Sequence, residues 1–384
     1  MDLVILAGGR GIRINTVTKK LPKPIIKFKR INFLQHLINH YAKYDFDNIY
    51  ILAGYKGSKI YKKFNDKIQN FVKIRCFIEK KKMDTGGALN IVKKYINKDF
   101  VLINGDTYVD FNLKNLTKKL NAAIGRILLI KAKSNKLNNL DINKNIVNFC
   151  KKKNLSNCGV YFFKKEIFTY IPKNKCSLEN EVLPQLIQKR LIKGIKIKNF
   201  FIDIGTPKML IKAKKILPKY FCKPAAFLDR DGVINDDFGH VYKIKEFKLK
   251  KGIKLKLKTF IKKNYHVFII TNQAGVAKNL YKEKDFNKLH LFVKRQFLKE
   301  NIYISDVKAC FHHPQAELIK YKKKCNCRKP DIGMLKEIEK NWLIDKKNSF
   351  FIGDRDSDKL CAEKYGVKFY FNENFNINSL KETL

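Results

Sequence analysis

The sequence contains no long apolar run, and this absence excludes one class of proteins. No stretch of its 384 residues reaches about 18 consecutive apolar residues, the length that a membrane-spanning helix needs. The first apolar run, residues 3–7, has no basic region before it and no small-residue cleavage pattern after it. It therefore predicts a first β-strand and not a secretory signal. We expect a cytoplasmic protein without a membrane partner.

Acidic residues and arginine are both scarce beside lysine. Lys and Arg total 82 against 34 Asp and Glu, for a formal net charge of +48, but only ten of the basic residues are arginine. Arginine dominates base reading and bidentate phosphate contacts, and the lysines are spread over the whole chain. A general lysine bias explains the charge better than a nucleic-acid partner does, although a basic nucleic-acid-binding protein stays as an outside alternative. A positive field still favours anionic small molecules such as sugar phosphates and nucleotides.

The nine cysteines lack the even count of a disulfide framework. Six are scattered singly, whereas Cys310, Cys325 and Cys327 lie near His312 in the pattern C-x-H-x₁₂-C-x-C. Three thiolates and one imidazole complete a closed tetrahedron, which is typical of structural zinc, because a catalytic zinc keeps one position open. We predict a structural zinc site at these four residues, with His313 as a spare that supports the site or faces solvent. The alternative is a chance cluster.

Apolar residues make up 45% of the chain and aromatic residues 12%, enough for ordinary buried cores. Short apolar runs alternate with stretches of helical spacing, which predicts α/β architecture with parallel sheets covered on both faces. A short stretch between two prolines marks a boundary, so we predict domains at 1–216 and 225–384 with a linker at 217–224. The predicted strands are 3–7, 48–53, 99–105, 126–132, 160–163, 225–229, 266–271, 309–313, 349–354 and 368–371, and the predicted helices include 31–44 and 285–300.

A glycine-rich turn, LAGGRGIR, follows the first predicted strand. Gly8, Gly9 and Gly11 allow backbone N–H groups to approach phosphates closely, and the following Arg13 can neutralise developing charge. The glycine spacing fits neither a P-loop nor a dinucleotide-binding fingerprint. The turn therefore indicates phosphate binding without specifying the ligand.

Other polar residues of the first half stand where α/β sheets bind ligands. Lys23 lies in a stiff PKP loop, and Gly87 belongs to a glycine pair at a predicted helix start, a natural site for anions or a base edge. Asp106 and Asp203 follow apolar strands. Two carboxylates from different strand ends predict a Mg²⁺ pair for phosphate chemistry.

In this order, LAGGRGIR, PKP, TGGA, NGD, NCGVY, SLEN and DIGTP resemble the sugar-1-phosphate nucleotidyltransferase family over residues 1–216. The resemblance implies a mixed sheet with a Rossmann-like core. It also implies attack of a sugar 1-phosphate on the α-phosphate of a nucleoside triphosphate, chemistry that depends mostly on positioning and neutralised oxygens. The implied roles are triphosphate binding by Gly8, Gly9 and Gly11, charge stabilisation by Arg13 and Lys23, base contact at Gly87, Mg²⁺ binding by Asp106 and Asp203, and sugar binding by Glu179 and Lys152.

The first half departs from this family pattern at three places. Ile12 replaces a threonine, Lys151 and Lys152 replace a Glu-Lys pair in a shortened loop, and Met83 and Asp84 stand where Leu and Gly are commoner. Lys152 is either a sugar-phosphate contact or part of a solvated lysine run. The change at Met83 and Asp84 concerns base preference more than the reaction. A family member without catalytic activity, such as a nucleotide-sensing domain, is the alternative.

Phosphate-handling elements follow successive predicted strands of the second half. DRDG offers Asp229 as a nucleophile and Asp231 as a general acid and base. Thr271 offers a hydroxyl to a phosphoryl oxygen, Lys329 offers a neutralising charge, and GDRDSD (353–358) offers metal ligands. Because the carboxyl ends of parallel strands meet in one crevice, we expect these groups to converge on one site.

FLDRDGVINDD, ITNQAGVAKNLY, CFHHPQ, CNCRKPDIGM and IGDRDSD resemble the haloacid dehalogenase phosphatase superfamily over about residues 225–372. Within it they resemble the branch of D-glycero-D-manno-heptose 1,7-bisphosphate and histidinol phosphatases, with Ala274 and Arg355 in place of the usual Ser and Lys. The resemblance implies a Rossmann-like domain in which Asp229 forms an aspartyl phosphate, while Asp231 protonates the leaving alcohol and then activates water. Further implied roles are phosphoryl binding by Thr271 and Lys329, Mg²⁺ binding by Asp229, the Asp231 backbone carbonyl and Asp354, and phosphate or substrate binding by Asn272, Arg328 and Arg355.

The two resemblances fit consecutive reactions. A heptose bisphosphate phosphatase leaves a sugar 1-phosphate, and a sugar-1-phosphate nucleotidyltransferase consumes one. We therefore expect a bifunctional enzyme of nucleotide-activated heptose biosynthesis that uses Mg²⁺ and Zn²⁺ and leans toward guanylyl transfer from GTP. A histidinol-phosphatase fusion, or a phosphatase with a nucleotide-sensing first domain, is the alternative.

Overall fold

A computed structural model of the chain describes residues 1–9, 21–131, 140–151 and 154–377. The predicted site residues Gly11, Arg13 and Lys152 lie outside these ranges. All other predicted site residues are described.

The chain divides into two compact units, which we describe separately. The N-terminal unit consists of Met1–Leu37 and Phe46–Ile216, and the C-terminal unit consists of Ile38–Asp45 and Leu217–Leu384. Helix Pro207–Phe221 extends into the segment that the sequence predicts as a linker. No helix of the described ranges is both long enough and apolar enough to cross a membrane.

The strands are numbered in chain order. Their bounds are β1 Asp2–Leu6, β2 Lys27–Phe28, β3 Ile31–Asn32, β4 Asn48–Ala53, β5 Ile68–Gln69, β6 Val72–Ile78, β7 Phe100–Asn104, β8 Thr107–Val109, β9 Gly125–Lys131, β10 Leu140–Asn143, β11 Ile146–Phe149, β12 Leu155–Phe163, β13 Ile192–Ile197, β14 Phe201–Asp203, β15 Ala225–Leu228, β16 His266–Asn272, β17 Asp306–Cys310, β18 Phe350–Gly353 and β19 Lys368–Phe371. The α-helices are Phe33–Ala42, Gly57–Phe64, Asp84–Leu89, Leu113–Leu116, Leu183–Gln188, Pro207–Phe221, Ile253–Lys262, Ala274–Ala277, Glu283–Lys299, Gly333–Asn341 and Asp356–Tyr365.

The N-terminal unit is built on a mixed sheet of ten strands in the order β10-β11-β13-β9-β12-β7-β1-β4-β6-β5. β1 runs parallel to β4 and β7, and β4 runs parallel to β6, so the carboxyl ends of these four strands lie at one edge. β12 is antiparallel to both β7 and β9. The central strands are short and almost wholly apolar, because both faces of the sheet are buried.

The C-terminal unit contains a five-stranded parallel sheet in the order β17-β16-β15-β18-β19. Successive residues of β15 alternate between two cores: Ala226 and Leu228 pack with helices Ile253–Lys262 and Glu283–Lys299, whereas Ala225 and Phe227 pack with Gly333–Asn341 and Asp356–Tyr365. The sheet is therefore covered on both faces, as the sequence predicts.

Three elements differ from the bounds that the pattern of apolar residues predicts. The strand predicted at 309–313 is β17, Asp306–Cys310, so His312 lies beyond the strand end. β6 was not predicted, because the alternation in VKIRCFI includes two basic residues on its outer face. The helix predicted at 285–300 begins two residues earlier, at Glu283, where the Asp285 side chain accepts from the Lys282 backbone.

Candidate active sites and a candidate metal centre

The N-terminal unit contains a cavity of about 730 Å³ at the carboxyl ends of β1, β4, β6 and β7. These strands are parallel, so the turns after them meet at one sheet edge, where α/β folds bind ligands. Predicted site residues that line the cavity are Gly8, Gly9, Lys23, Asp106 and Glu179. Lysines 80, 81 and 82 also line it, which makes this cavity suitable for an anionic ligand.

Lys23 and Asp106 form an ion pair at the cavity, with Lys23 Nζ 3.0 Å from Asp106 Oδ2. Asp203 lies on the neighbouring strand: β14 pairs Asp203 with Thr107, and the Ile204 N–H donates to the Asp106 carbonyl at 2.9 Å. The two strand ends predicted for a Mg²⁺ pair are therefore adjacent. The Asp203 side chain accepts a hydrogen bond from its own turn, from the backbone N–H two residues on.

Glu179 is oriented by two hydroxyl groups. The Thr85 hydroxyl donates to Glu179 Oε2, and the Tyr161 hydroxyl donates to Oε1 at 3.2 Å. Burial, together with the negative charge of Glu179, raises the pKa of Tyr161 well above its usual range. The tyrosine therefore remains a donor, and the unused lone pairs of Glu179 can accept from a polyol ligand.

Glu79 is a cavity residue that the sequence interpretation missed. A Cβ on Gly8 would lie 2.2 Å from Glu79 Oε1, so this carboxylate occupies the space beside the turn after β1 that a side chain at position 8 would fill. Burial raises the pKa of Glu79, while a hydrogen bond from the Met83 backbone lowers it. Glu79 is followed by three lysines, and a run of charged residues is by itself typical of a solvated surface.

Gly87 is placed differently from the cavity residues. A Cβ there would lie 2.9 Å from the Asn174 carbonyl oxygen and 3.3 Å from the Cys176 nitrogen. Close packing against this segment explains the glycine. In the same helix, Asp84 and Thr85 line the cavity instead.

In the C-terminal unit, Asp229, Lys329 and Asp358 form a buried charged cluster. Lys329 Nζ lies 2.8 Å from Asp229 Oδ1 and 2.6 Å from Asp358 Oδ1, and the three side chains are at most 9% exposed. Burial raises the pKa of Asp229 to about 7, although the Lys329 ammonium opposes this. Burial alone would lower the pKa of Lys329, but the two carboxylates outweigh burial and raise it. The ammonium therefore stays charged beside Asp229.

Asp354 brings a third carboxylate to this cluster. Single oxygens of Asp229, Asp354 and Asp358 lie within 4.8 Å of one another. Gly232 has φ +78°, and a Cβ there would lie 2.0 Å from Asp354 Oδ2, so the close approach requires glycine. Mutually repelling carboxylates at this spacing fit a hard divalent cation, for which carboxylate oxygens are the preferred ligands.

Asp231 lies two residues after Asp229 and is held by a set of donors. Arg230 Nη2 donates to both carboxylate oxygens at 2.7 Å, and Asn235 Nδ2 donates to Oδ1 at 3.0 Å. Gln273 Nε2 donates to Oδ2 at 2.9 Å. The carboxylate is therefore fixed in direction, as a proton-transfer group must be.

The remaining predicted phosphate contacts have different surroundings. Asn272 Nδ2 donates to the Lys329 carbonyl at 3.1 Å, and Asn272 Oδ1 accepts from the Lys329 backbone N–H at 3.0 Å. These two hydrogen bonds fix the position of the lysine. Thr271 is buried at the end of β16. Arg328 Nη1 is buried and has no hydrogen-bond partner within the described ranges. Arg355 is 64% exposed and donates to Asp237 Oδ2 at 2.7 Å.

Four ligand atoms of Cys310, His312, Cys325 and Cys327 lie within 4.8 Å of one another. The Sγ–Sγ distances are 3.1 to 3.6 Å, and His312 Nδ1 lies 3.1 Å from Cys327 Sγ. A disulfide needs about 2.05 Å, whereas tetrahedral zinc with Zn–S bonds of about 2.3 Å separates its sulfur ligands by roughly 3.7 Å. The donor set therefore fits a closed metal site. The spare His313 accepts from the Gln315 N–H at 3.1 Å.

Asp358 and Gln273 were also missed by the sequence interpretation. GDRDSD contains three aspartates, and only the start of helix Asp356–Tyr365 decides which of them faces Lys329. Asp358 Oδ2 accepts from the backbone N–H groups of Asp354 and Arg355 at 3.2 Å, which turns Oδ1 toward the lysine. Asp358 stands at N3 of helix Asp356–Tyr365, and an acidic residue three positions after a helix N-cap was the available signal.

Comparison with known proteins connects each unit with a family. The nucleotidyl transferase family model matches residues 3–219, more than half of the chain. The model described as polynucleotide kinase 3 phosphatase matches residues 228–376. The crystal structure of HddC from Yersinia pseudotuberculosis is 29% identical, covering 56% of this chain and 99% of that chain at a TM-score of 0.47.

Two curated relatives match the second half. The D-glycero-alpha-D-manno-heptose-1,7-bisphosphate 7-phosphatase of Campylobacter jejuni is 45% identical over 134 residues, covering 35% of this chain and 73% of that protein. The D-glycero-beta-D-manno-heptose-1,7-bisphosphate 7-phosphatase of Rhodopseudomonas palustris is 39% identical over 145 residues, covering 38% of this chain and 81% of that protein. The chain therefore belongs through its first half to the nucleotidyl transferase family and through its second half to the D-glycero-D-manno-heptose-1,7-bisphosphate 7-phosphatase family.

Proposed function

We propose that this enzyme removes the 7-phosphate of D-glycero-D-manno-heptose 1,7-bisphosphate and then transfers a nucleotidyl group to the remaining 1-phosphate. The main observation behind this proposal is that one chain contains both a nucleotidyl transferase and a relative of heptose bisphosphate phosphatases. The sugar 1-phosphate that such a phosphatase releases is the acceptor that such a transferase uses. The relatives named for the alpha and beta anomers match to similar extents, so the proposal covers both anomers.

In the phosphatase reaction, Asp229 attacks the phosphorus atom and the bond from phosphorus to the C7 oxygen breaks. Asp231 donates a proton to that oxygen and then takes one from water, which attacks the aspartyl phosphate and releases inorganic phosphate. Lys329 and Thr271 hold phosphoryl oxygens, and Arg328, whose buried Nη1 has no hydrogen-bond partner among the described residues, binds the substrate.

Residues for a divalent cation are present at this site. Asp229, the Asp231 carbonyl and Asp354 would hold Mg²⁺, which neutralises phosphoryl oxygens as the charge on them develops. Asp358 keeps its contact with Lys329 and orients it.

In the transfer reaction, an oxygen of the sugar 1-phosphate attacks the α-phosphorus of a nucleoside triphosphate, and pyrophosphate leaves. The turn at Gly8 and Gly9 offers backbone N–H groups, and Lys23 neutralises charge. Asp106 and Asp203 would hold Mg²⁺, supported by their adjacent strands. Glu179, oriented by Thr85 and Tyr161, accepts from sugar hydroxyls.

The proposed nucleotide is GTP, and the residue that supports it is Glu79. Its carboxylate lines the cavity beside Gly8 and can only accept hydrogen bonds when ionised. Guanine presents two adjacent donors, N1–H and N2–H₂, on its Watson–Crick edge, whereas each of the other bases places an acceptor beside its donor. A carboxylate at this position therefore favours guanine.

We further propose zinc at Cys310, His312, Cys325 and Cys327. Burial raises the pKa of the Cys310 thiol, and a dication would supply the charge that stabilises its thiolate. Cys327 stands two residues before Lys329, so this metal would fix the loop that carries the lysine. Metal analysis of purified protein should find about one zinc per chain, and its absence would refute this assignment.

A coupled assay tests the whole proposal. Each anomer of heptose 1,7-bisphosphate is supplied with GTP, CTP, ATP or UTP, and inorganic phosphate, pyrophosphate and nucleotide sugar are measured. Asp229→Asn should stop phosphate release, and Asp106→Asn should stop nucleotide-sugar formation while phosphate release continues. No nucleotide sugar with any of the four nucleotides would refute the proposal. Release of phosphate from histidinol phosphate alone would favour the histidinol-phosphatase alternative.

A further inference from the structure

Gln273 contacts two groups that the phosphatase proposal uses. Its Nε2 donates to Asp231 Oδ2 at 2.9 Å and to Thr271 Oγ1 at 2.8 Å. Gln273 is 2% exposed and Thr271 is 1% exposed, so water does not compete for these hydrogen bonds. One amide group therefore joins the proton-transfer group to the phosphate-binding hydroxyl.

The direction of each hydrogen bond follows from chemistry. A carboxyl oxygen that carries no proton only accepts, so the amide nitrogen of Gln273, and not its oxygen, faces Asp231 Oδ2. The second N–H of that nitrogen then donates to Thr271 Oγ1. Because the Thr271 oxygen accepts here, the hydroxyl proton is free to donate to another group. The Thr271 hydroxyl has no second hydrogen-bond partner within the described ranges.

Tyr281 fixes the other end of the amide. Its hydroxyl donates to Gln273 Oε1 at 2.5 Å, and it is 5% exposed and stacked on Tyr242 at a ring distance of 4.7 Å. Burial raises the pKa of Tyr281 to about 12, so it remains a donor at neutral pH. A flipped amide would place its oxygen against the acceptor Asp231 Oδ2, and this contact disfavours the flip, while the Tyr281 hydroxyl hydrogen-bonds the other end of the amide.

We propose that Gln273, held by Tyr281, is a positioning residue that fixes Asp231 for proton transfer and leaves the Thr271 proton for the phosphoryl oxygen. The inference rests on the proposed roles of Asp231 and Thr271 in phosphate hydrolysis. It adds a residue that does not itself contact phosphate, and it assigns donor and acceptor in the hydrogen bonds of Gln273 with Asp231 and Thr271. Gln273 itself gains and loses no proton in the reaction.

The leaving group distinguishes this role from simple packing. An alkyl phosphate has a poor leaving group that needs a proton from Asp231, whereas p-nitrophenyl phosphate has a good one that does not. Misdirecting Asp231 should therefore slow attack on the alkyl ester more than attack on the aryl ester. Loss of the packed shape alone should slow both equally.

The experiment compares kcat and KM of Gln273→Leu and Tyr281→Phe with those of the wild-type chain on both ester types. For Gln273→Leu we expect kcat/KM on heptose 1,7-bisphosphate to fall about 100-fold, mostly through kcat. On p-nitrophenyl phosphate we expect kcat/KM to fall by a factor of about 10 or less. Tyr281→Phe keeps the ring and should show the same pattern at about 3- to 10-fold, the loss of one neutral hydrogen bond.

Gln296→Leu, the same substitution on helix Glu283–Lys299, is the matched control and should keep both rates. Equal losses on the two esters, or wild-type rates in both variants, would overturn the inference. If the wild-type chain hydrolyses the aryl ester but not heptose bisphosphate, the proposed substrate fails, and histidinol phosphate then serves as the alkyl ester for the same comparison.

Discussion

Replacing Lys329 with methionine should both abolish phosphate release and destabilise the C-terminal unit. Methionine keeps most of the side-chain volume and removes the charge. In the structure the ammonium lies 2.8 Å from Asp229 and 2.6 Å from Asp358, and all three groups are nearly inaccessible to water. The substitution leaves two buried carboxylates without their cation.

The magnitude follows from two opposing effects. At an effective dielectric constant of about 20, each ion pair at these distances contributes about 6 kcal/mol of Coulomb energy. Moving three charged groups out of water costs several kcal/mol each, so the intact cluster contributes much less than that sum. Removing the lysine does not return the two carboxylates to water, so their desolvation cost remains without a compensating ion pair. For buried pairs, removal of one partner typically costs about 3–5 kcal/mol of stability. We expect that loss in the free energy of unfolding.

The only tryptophan of the chain provides the assay. Trp342 is 7% exposed in the C-terminal unit and packs on His266 at a ring distance of 4.7 Å, so its fluorescence should change when this unit unfolds in urea. Phosphate release and nucleotide-sugar formation from supplied sugar 1-phosphate are measured on the same samples. The second activity should be unchanged.

Lys364→Met is the matched control. Its ion pair with Asp331 is 3.2 Å long but half exposed, so its loss should cost less than about 1 kcal/mol. The double variant Lys329→Met/Asp358→Asn removes one of the stranded carboxylates and should recover part of the lost stability. A loss for Lys329→Met no larger than that for Lys364→Met would refute the reasoning.

Three further predictions concern other parts of the chain. Glu79→Gln should lower the preference for GTP over ATP, in kcat/KM, about 10- to 100-fold, because one oxygen that accepts from guanine becomes a donor; an unchanged ratio would exclude Glu79 from base selection. Gly232→Ala should reduce phosphate release at least tenfold, since a Cβ would lie 2.0 Å from Asp354 Oδ2 at φ +78° and displace that carboxylate; wild-type phosphate release would contradict this. Burial lowers the pKa of His36 to about 3 from the usual 6.5, so only the unfolded chain takes up this proton between those values. Stability should therefore fall as pH falls from 6.5 to 4, by about 3 kcal/mol from this group, and His36→Leu should flatten the slope in denaturant titrations followed by circular dichroism.

The strands that carry the sites could be predicted because they are buried on both faces. Such strands are continuous apolar runs that end abruptly in polar residues, as AAFLD and SFFIGD do, so each strand end also indicated Asp229 or Asp354. The Cys310–Cys327 cluster could be predicted because metal ligands are rare residue types at restricted spacing. In both cases the necessary information is local in sequence.

The residues that were missed depend on contacts between distant segments. Glu79 follows β6 and becomes a site residue because Gly8, in the turn after β1 two strands away in the sheet, leaves room for its carboxylate. Gln273 becomes one because Tyr281 and Asp231 approach its amide from opposite ends. Glutamine and glutamate are common surface residues, so nothing in their identity distinguishes these two before the fold is known.

The position of Cys310 has a consequence for how preparations of this enzyme should be judged. It is the last residue of β17, paired in register with Asn272, and its carbonyl accepts from the Gln273 N–H at 2.8 Å. Cys327 lies two residues from Lys329 along the chain. If the cluster holds zinc, one ion fixes both the hydroxyl side and the lysine side of the phosphate site. The phosphatase rate of a batch would then report the fraction of chains loaded with metal, while its transferase rate would report the total amount of folded chain. The ratio of the two rates would be an internal measure of zinc supply, in the test tube and in a cell where metal is limiting.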